Sequence, residues 1–168
     1  MKVQKTMETN LPNALPIAVY ILNYAETNEY KITNIVLQKI LYYVQGHFLK
    51  IFNKPAFSDE IVNWGFGATV REVYYEFNEF VGMPISITDT LKKQTLDRLR
   101  LKEEEKNLIG LVVDRCMKYK PYQLVDKVLY EAPYKETGLG KTIPKTLMMD
   151  CFRSSDPLKL MTCQNIVL

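Results

Sequence analysis

The stretch "ITNIVLQKILYYVQGHFLKIF" constrains the fold more than any other part of the chain. Thr33 stands where a helix N-cap belongs. Leu37, Ile40, Leu41, Val44, Phe48 and Ile51 then recur at the helical period and draw one continuous apolar stripe. A helix with such a stripe must bury it against other elements. Gln38, Lys39, Gln45 and Lys50 lie largely off the stripe. Gly46 is a mild helix breaker, read here as permitting close packing. The helix ends before Asn53, because Pro55 biases Lys54 away from helical angles.

The rest of the chain supplies partners for that helix. "NALPIAVYILNYAE" has Ile17, Tyr20, Ile21 and Tyr24 on one helical face, with Pro16 tolerated in the first turn. "FSDEIVNW" reads as short and extended, and "GMPISIT" as a turn with a few β-formers that pairs with it. Between them, Val70, Val73, Tyr74, Phe77 and Val81 predict a helix over 69–80. Beyond a charged segment at 89–106, read as a solvated face or loop, Leu108, Leu111, Val112 and Tyr119 share a helical face. "YQLVDKVLYEA" reads as a short helix stopped by Pro133. "KETGLGKT" is a loop, and "IPKTLMMDCF" a last helix capped by Thr142 with Pro144 in its first turn. The fold class is therefore mainly α, a single compact domain of about five or six helices with a small two-stranded β element. Residues 1–10 read as a loose N-terminus, 11–153 as the domain and 154–168 as a C-terminal tail.

Several chemistries lack the residues they need. "IVNWGFGATV" has a strand, a G-x-G and a helix start, with Asp89 near the offset of a ribose-binding carboxylate. Against dinucleotide binding, Val70 stands where the third glycine belongs, Glu60 and Asn63 interrupt the strand, and no further βαβ unit follows. His47 is the only histidine, and Cys116, Cys151 and Cys163 show no CxxC spacing, so neither a metal nor a cofactor is expected. The odd, scattered cysteines argue for free thiols in a cytoplasmic protein. His47 reads as a core-edge residue with a satisfied hydrogen bond. A net charge of +3 without a basic, aromatic-interleaved stripe argues against nucleic acid, and the apolar runs are too short to span a bilayer. What stands out is tyrosine, 11 residues with adjacent pairs at 42–43 and 74–75. Both members of a pair cannot share one helical face, so one of each is expected near the surface. A Tyr-rich, weakly charged surface suits a protein partner.

The chain resembles the Panacea domain family, which takes in SocA-like antitoxins and phage-associated GepA-like proteins. Leu37, Gln38, Lys39, Leu41, Tyr42 and Tyr43 match that family's Leu-Gln-Lys-Leu-Leu-Tyr-Tyr helix, with Ile40 for Leu. Pro55, Phe57, Glu60, Ile61 and Trp64 match its next segment. Gly67, Val70, Val73, Tyr74 and Phe77 match the Gly-Pro-Val turn and the helix after it. Leu124, Glu131 and Pro133 match a later motif, with Tyr134 for Trp. The resemblance spans roughly 17–152. One departure stands at the turn, where Ala68 and Thr69 replace the family's proline, and Thr69 is read as capping the helix instead.

The resemblance implies a mainly helical antitoxin, not an enzyme, that neutralises a toxin protein by direct binding and occlusion or delivers it to a protease. A second reading is a phage-encoded anti-defence protein that inhibits a host nuclease or complex. A third is an enzyme built on Cys116, Cys151 or His47. On the interaction reading, Tyr43, Trp64, Phe66, Arg71 and Tyr75 are the partner-binding residues.

Overall fold

The computed structural model describes residues 11–160. Helix α1 spans Ala14–Thr27 and α2 Asn34–Phe52. Strands β1, Val62–Trp64, and β2, Gly67–Thr69, form a hairpin that runs into α3, Arg71–Glu76. The chain continues through a 3-10 turn at Asn78–Phe80 into α4, Asp89–Leu96, and α5, Glu103–Cys116. Helices α6, Pro121–Leu129, α7, Ala132–Lys135, and α8, Lys145–Ser155, complete it. The protein is mainly helical with one small antiparallel sheet, and its eight α-helices among the described residues exceed the five or six expected.

Helix α2 lies at the centre. It packs on α1, α3, α5, α6, α8 and β2, so it has no solvent face over most of its length. Gln38, Lys39 and Gln45, off the apolar stripe, are as buried as the stripe itself. Periodicity finds the greasiest face of such a helix but not that the other faces are covered as well. At Gly46 the close packing is real: a Cβ there would lie 2.2 Å from Cζ of Phe152 on α8. Gln45 ties down the chain after α2, accepting from the backbone N–H of Ala56 at 2.7 Å and donating to the carbonyl of Phe57 at 3.1 Å. A carboxylate from that same segment, Asp59, accepts the N–H of Ala14 at the start of α1. A helix end unsatisfied within α1 is thus closed by tertiary structure.

Several local expectations change. The strand pairs with the segment two residues on, not with "GMPISIT": Val62 faces Thr69, Asn63 faces Ala68 and Trp64 faces Gly67. Pro84 and Ile85 instead bridge to Thr33 and Ile32 before α2. The helix expected over 69–80 stops at Glu76, and Val81 leaves its face altogether. Part of the charged segment does form a helix, α4, capped by Thr88 Oγ1, which accepts the N–H of Leu91 at 3.2 Å. On α5 the buried face runs through Leu108, Ile109, Val112, Val113 and Cys116, while Leu111 faces solvent. Pro133 starts α7 rather than ending α6, where its missing N–H costs nothing. Thr142 does not cap α8, which begins after Pro144. It pairs with Val62, so the 140–143 segment lines the free edge of β1. Beyond Ser155, Leu158 and Leu160 are buried in the core. Residues 1–10, Cys163 and the end of the expected tail lie outside the described residues.

Candidate functional site

The site is assembled from the hairpin and α3, and α2 holds both. Lys39 Nζ donates to the carbonyl of Ala68 on β2 at 2.9 Å. Gln38 Oε1 accepts the N–H of Val70 at 2.8 Å, and Val70 is the residue that opens α3. Gln38 Nε2 donates to Asn34 Oδ1 at 3.1 Å, and Asn34 Nδ2 donates to the carbonyl of Tyr74 at 2.9 Å. The far side of β1 is held by Asn63, which accepts from the N–H of Gly140 at 2.7 Å and donates to the carbonyl of Lys141 at 2.9 Å. Gly67 has φ +101, a conformation that favours glycine, and a Cβ there would lie 2.9 Å from Lys39 Nζ. Thr69 does not cap α3. Its hydroxyl donates to the carbonyl of Gly67, and Gln38 takes the cap's place.

On this framework the aromatic side chains form one group. The Trp64 ring lies 5.3 Å from Tyr74 and 6.1 Å from Tyr75, and the two tyrosines lie 5.6 Å apart, all edge to face. Trp64 and Tyr74 are half-buried, whereas Tyr75 is 62% exposed and Phe66, at the hairpin tip, 72% exposed. Arg71, at the start of α3, is exposed and makes no ion pair among the described residues. Four of the five expected partner-binding residues therefore sit on the hairpin and α3. Beside them runs an apolar groove of about 290 Å³, lined by Ile35, Lys39, Trp64, Phe66, Tyr74 and Val81 among others.

Tyr43 is not part of this face. It is 0% exposed, as is Tyr42, because α2 is covered on both sides. Their hydroxyls converge on one carboxylate: Tyr42 donates to Glu131 Oε2 at 2.9 Å and Tyr43 to Oε1 at 2.8 Å. Burial pushes the Glu131 carboxyl up to about 6, opposed by those two hydrogen bonds and by Lys127, 3.9 Å away. Burial and Glu131 push both tyrosines well above their usual value. Burial alone brings Lys39 down to about 7.

His47 is buried deeper than a core-edge residue. Its ring meets Phe152 edge-on at 5.0 Å, and neither ring nitrogen has a hydrogen-bond partner among the described residues. Burial brings it down to about 4 and pushes the Cys116 thiol up.

Val81 was not foreseen at the site. It holds φ +39 on the groove rim with its side chain 84% exposed. The signal in the sequence is Gly82, a turn residue just beyond the helix expected over 69–80.

No helix among the described residues is long and apolar enough to cross a membrane. No solved structure matches the chain significantly. Comparison with protein families matches residues 37–134 to the family described as "Antitoxin SocA-like, Panacea domain". That span opens at Leu37 of the Leu-Gln-Lys helix and closes just beyond Glu131, so it encloses both ends of the wiring between α2, the hairpin and the buried carboxylate. With more than half of its length matched, the chain belongs to the SocA-like antitoxin family of Panacea-domain proteins.

Proposed function

We propose that this protein is an antitoxin that neutralises a protein toxin by covering it with the face made by Trp64, Phe66, Arg71 and Tyr75. The observation that carries this reading is the exposure of two large rings, Phe66 and Tyr75, on a backbone fixed by buried hydrogen bonds. Exposed aromatics on a rigid support bind at little entropic cost, and such residues dominate the energetics of protein interfaces. Arg71 adds a charge-assisted donor at the same face. A non-enzymatic role fits the two groups that invited a catalytic reading. His47 is held neutral by burial and Cys116 is held as a thiol, the opposite of an activated nucleophile pair. Cys116 and Cys151 are free, as suits action in the cytoplasm.

The test is the double variant Arg71→Ala/Tyr75→Ala, compared with the unaltered protein in capturing its protein partner and in rescuing cells that express that partner. Loss of rescue and of co-purification, with an unchanged urea midpoint, supports the face. Continued rescue by a folded double variant rejects it. The same capture separates two finer readings. A co-purifying protease makes the protein an adaptor for proteolysis, and a host nuclease or defence complex makes it a phage anti-defence protein.

A further inference from the structure

The floor of the groove beside Trp64 carries an unusual group. Lys39 is all but buried, yet only one of its three N–H donors has an acceptor among the described residues, the carbonyl of Ala68. No carboxylate pairs with it there, and none of the groove's lining residues is acidic. The walls are the rings of Trp64, Phe66 and Tyr74, with Val81 on the rim. Val81 is a β-branched residue in the left-handed region, a costly conformation, and its side chain is spent on solvent rather than on the core. An uncompensated cation beneath apolar walls complements a carboxylate on a short methylene stem.

We propose that this groove receives an acidic side chain of the protein partner, its carboxylate accepting a hydrogen bond from Lys39 Nζ while its stem packs between Trp64 and Phe66. This deepens the proposed function and rests on the reading that this face binds a protein. A neutral amide or carbonyl would leave the ammonium's buried charge uncompensated, whereas a carboxylate offsets it directly. A phosphate brings more than one charge and three acceptor oxygens, and the groove offers a single ammonium to meet them.

The environment of Lys39 gives the inference a second readout. Its neighbours from β2 are the Ala68 carbonyl and Gly67, and burial is the sole cause of its lowered value, about 7. Glu131, the acid that follows α6, is engaged by Tyr42, Tyr43 and Lys127. A carboxylate arriving at Nζ favours the charged form, so binding takes up a proton near neutral pH.

Trp64 is the only tryptophan and lines the groove, so its fluorescence reports on this place alone. The probes are the capped peptides acetyl-Leu-Glu-Leu-amide and acetyl-Leu-Gln-Leu-amide. The expected result is a saturable Trp64 response to the Glu peptide, about tenfold weaker or absent with Gln. The Glu affinity should rise about tenfold from pH 8 to pH 6 as Lys39 gains its proton. Equal responses to both peptides, no response to either, or a flat pH dependence overturns the proposal. So does tighter binding by the Gln peptide with a free C-terminus, which would make a chain end the ligand. Lys39→Met should abolish the Glu preference. Where that variant fails to fold, the pH comparison on the unaltered protein still decides. Should the peptides fail to discriminate while Arg71→Ala/Tyr75→Ala loses the partner, only the carboxylate inference falls. Should that double variant keep its partner, the face itself is wrong.

Discussion

Gln38 Oε1 accepts the backbone N–H of Val70 at 2.8 Å, joining the central helix to the first residue of the segment that displays Arg71 and Tyr75. Asn34, one turn earlier on α2, holds the other end through the carbonyl of Tyr74, and the two side chains are bonded to each other. Polar side chains off the apolar stripe of α2 are in this protein a set of tethers for a different element.

Replacing Gln38 by Leu should therefore act at two levels. It leaves the buried Val70 N–H without an acceptor and frees Asn34, for a loss of about 2 kcal/mol. Urea unfolding measures that loss. The variant should also bind its partner more weakly than its residual stability explains, because α3 is no longer aligned with Trp64. Unchanged partner affinity in a folded Gln38→Leu protein would show that the tether serves stability alone.

Gly46→Ala should destabilise despite alanine's better helix propensity. The added methyl would lie 2.2 Å from the Phe152 ring, which is itself packed edge-on against Tyr42 and His47. Rigid aromatic packing cannot yield, so a net loss of about 2 kcal/mol is expected. Adding Phe152→Leu should recover part of it by making room. Gly65→Ala is the control, since a methyl there meets nothing within 4 Å. A thermal melt of the four proteins gives the comparison.

The helical class, the central helix and the helix that carries Val73 could all be read from apolar spacing, because that spacing records which face meets the core. The surface position of Tyr75 followed from the same logic, since Val73 claims the inner face of α3. Tyr43 did not follow. The argument that adjacent tyrosines must part assumes a helix with one covered side, and α2 has two. What covers the second side, Glu131 with α6 and α7, comes from 88 residues away and leaves no trace in local periodicity. The hairpin register was missed for a related reason: Gly65 and Phe66 suffice as a turn, and pairing with the nearer segment costs less closure entropy. The polar tethers of Asn34, Gln38 and Lys39 have only positional meaning, given by the backbone groups that happen to face them.

Glu131→Leu should cost about 2 kcal/mol at neutral pH. Both Tyr42 and Tyr43 hydroxyls lose their acceptor inside the protein, a cost of about 1–3 kcal/mol each. The loss of the buried carboxylate's own desolvation penalty offsets part of this. The triple variant Tyr42→Phe/Tyr43→Phe/Glu131→Leu should recover most of the stability, because removing donors and acceptor together leaves nothing unsatisfied. Additive losses across the single, double and triple variants would show that the three groups do not act as a unit.

His47 taken alone lowers stability in mild acid, because burial holds its pKa below the unfolded value. Burial lowers it from 6.5 to about 4, so between those values the unfolded chain binds a proton that the folded chain refuses. Stability conferred by the neutral ring is full above 6.5 and drains away as pH falls toward 4, by about 3 kcal/mol over the whole window. Glu131 works in the opposite direction. Raised from 4.5 to about 6, it is held protonated more readily in the folded state, so its contribution is full below 4.5 and is lost as pH rises through 6, by about 2 kcal/mol. The two largely cancel, which predicts a shallow pH profile in the unaltered protein. His47→Leu removes one side of that balance. Because neither ring nitrogen has a hydrogen-bond partner among the described residues, the exchange should cost little at pH 7. Between pH 6.5 and 4.5 the variant should then gain stability as pH falls, while the unaltered protein does not. Urea midpoints across that range, at fixed ionic strength, decide it: parallel profiles for the two proteins would mean that His47 finds a proton acceptor in the folded state after all.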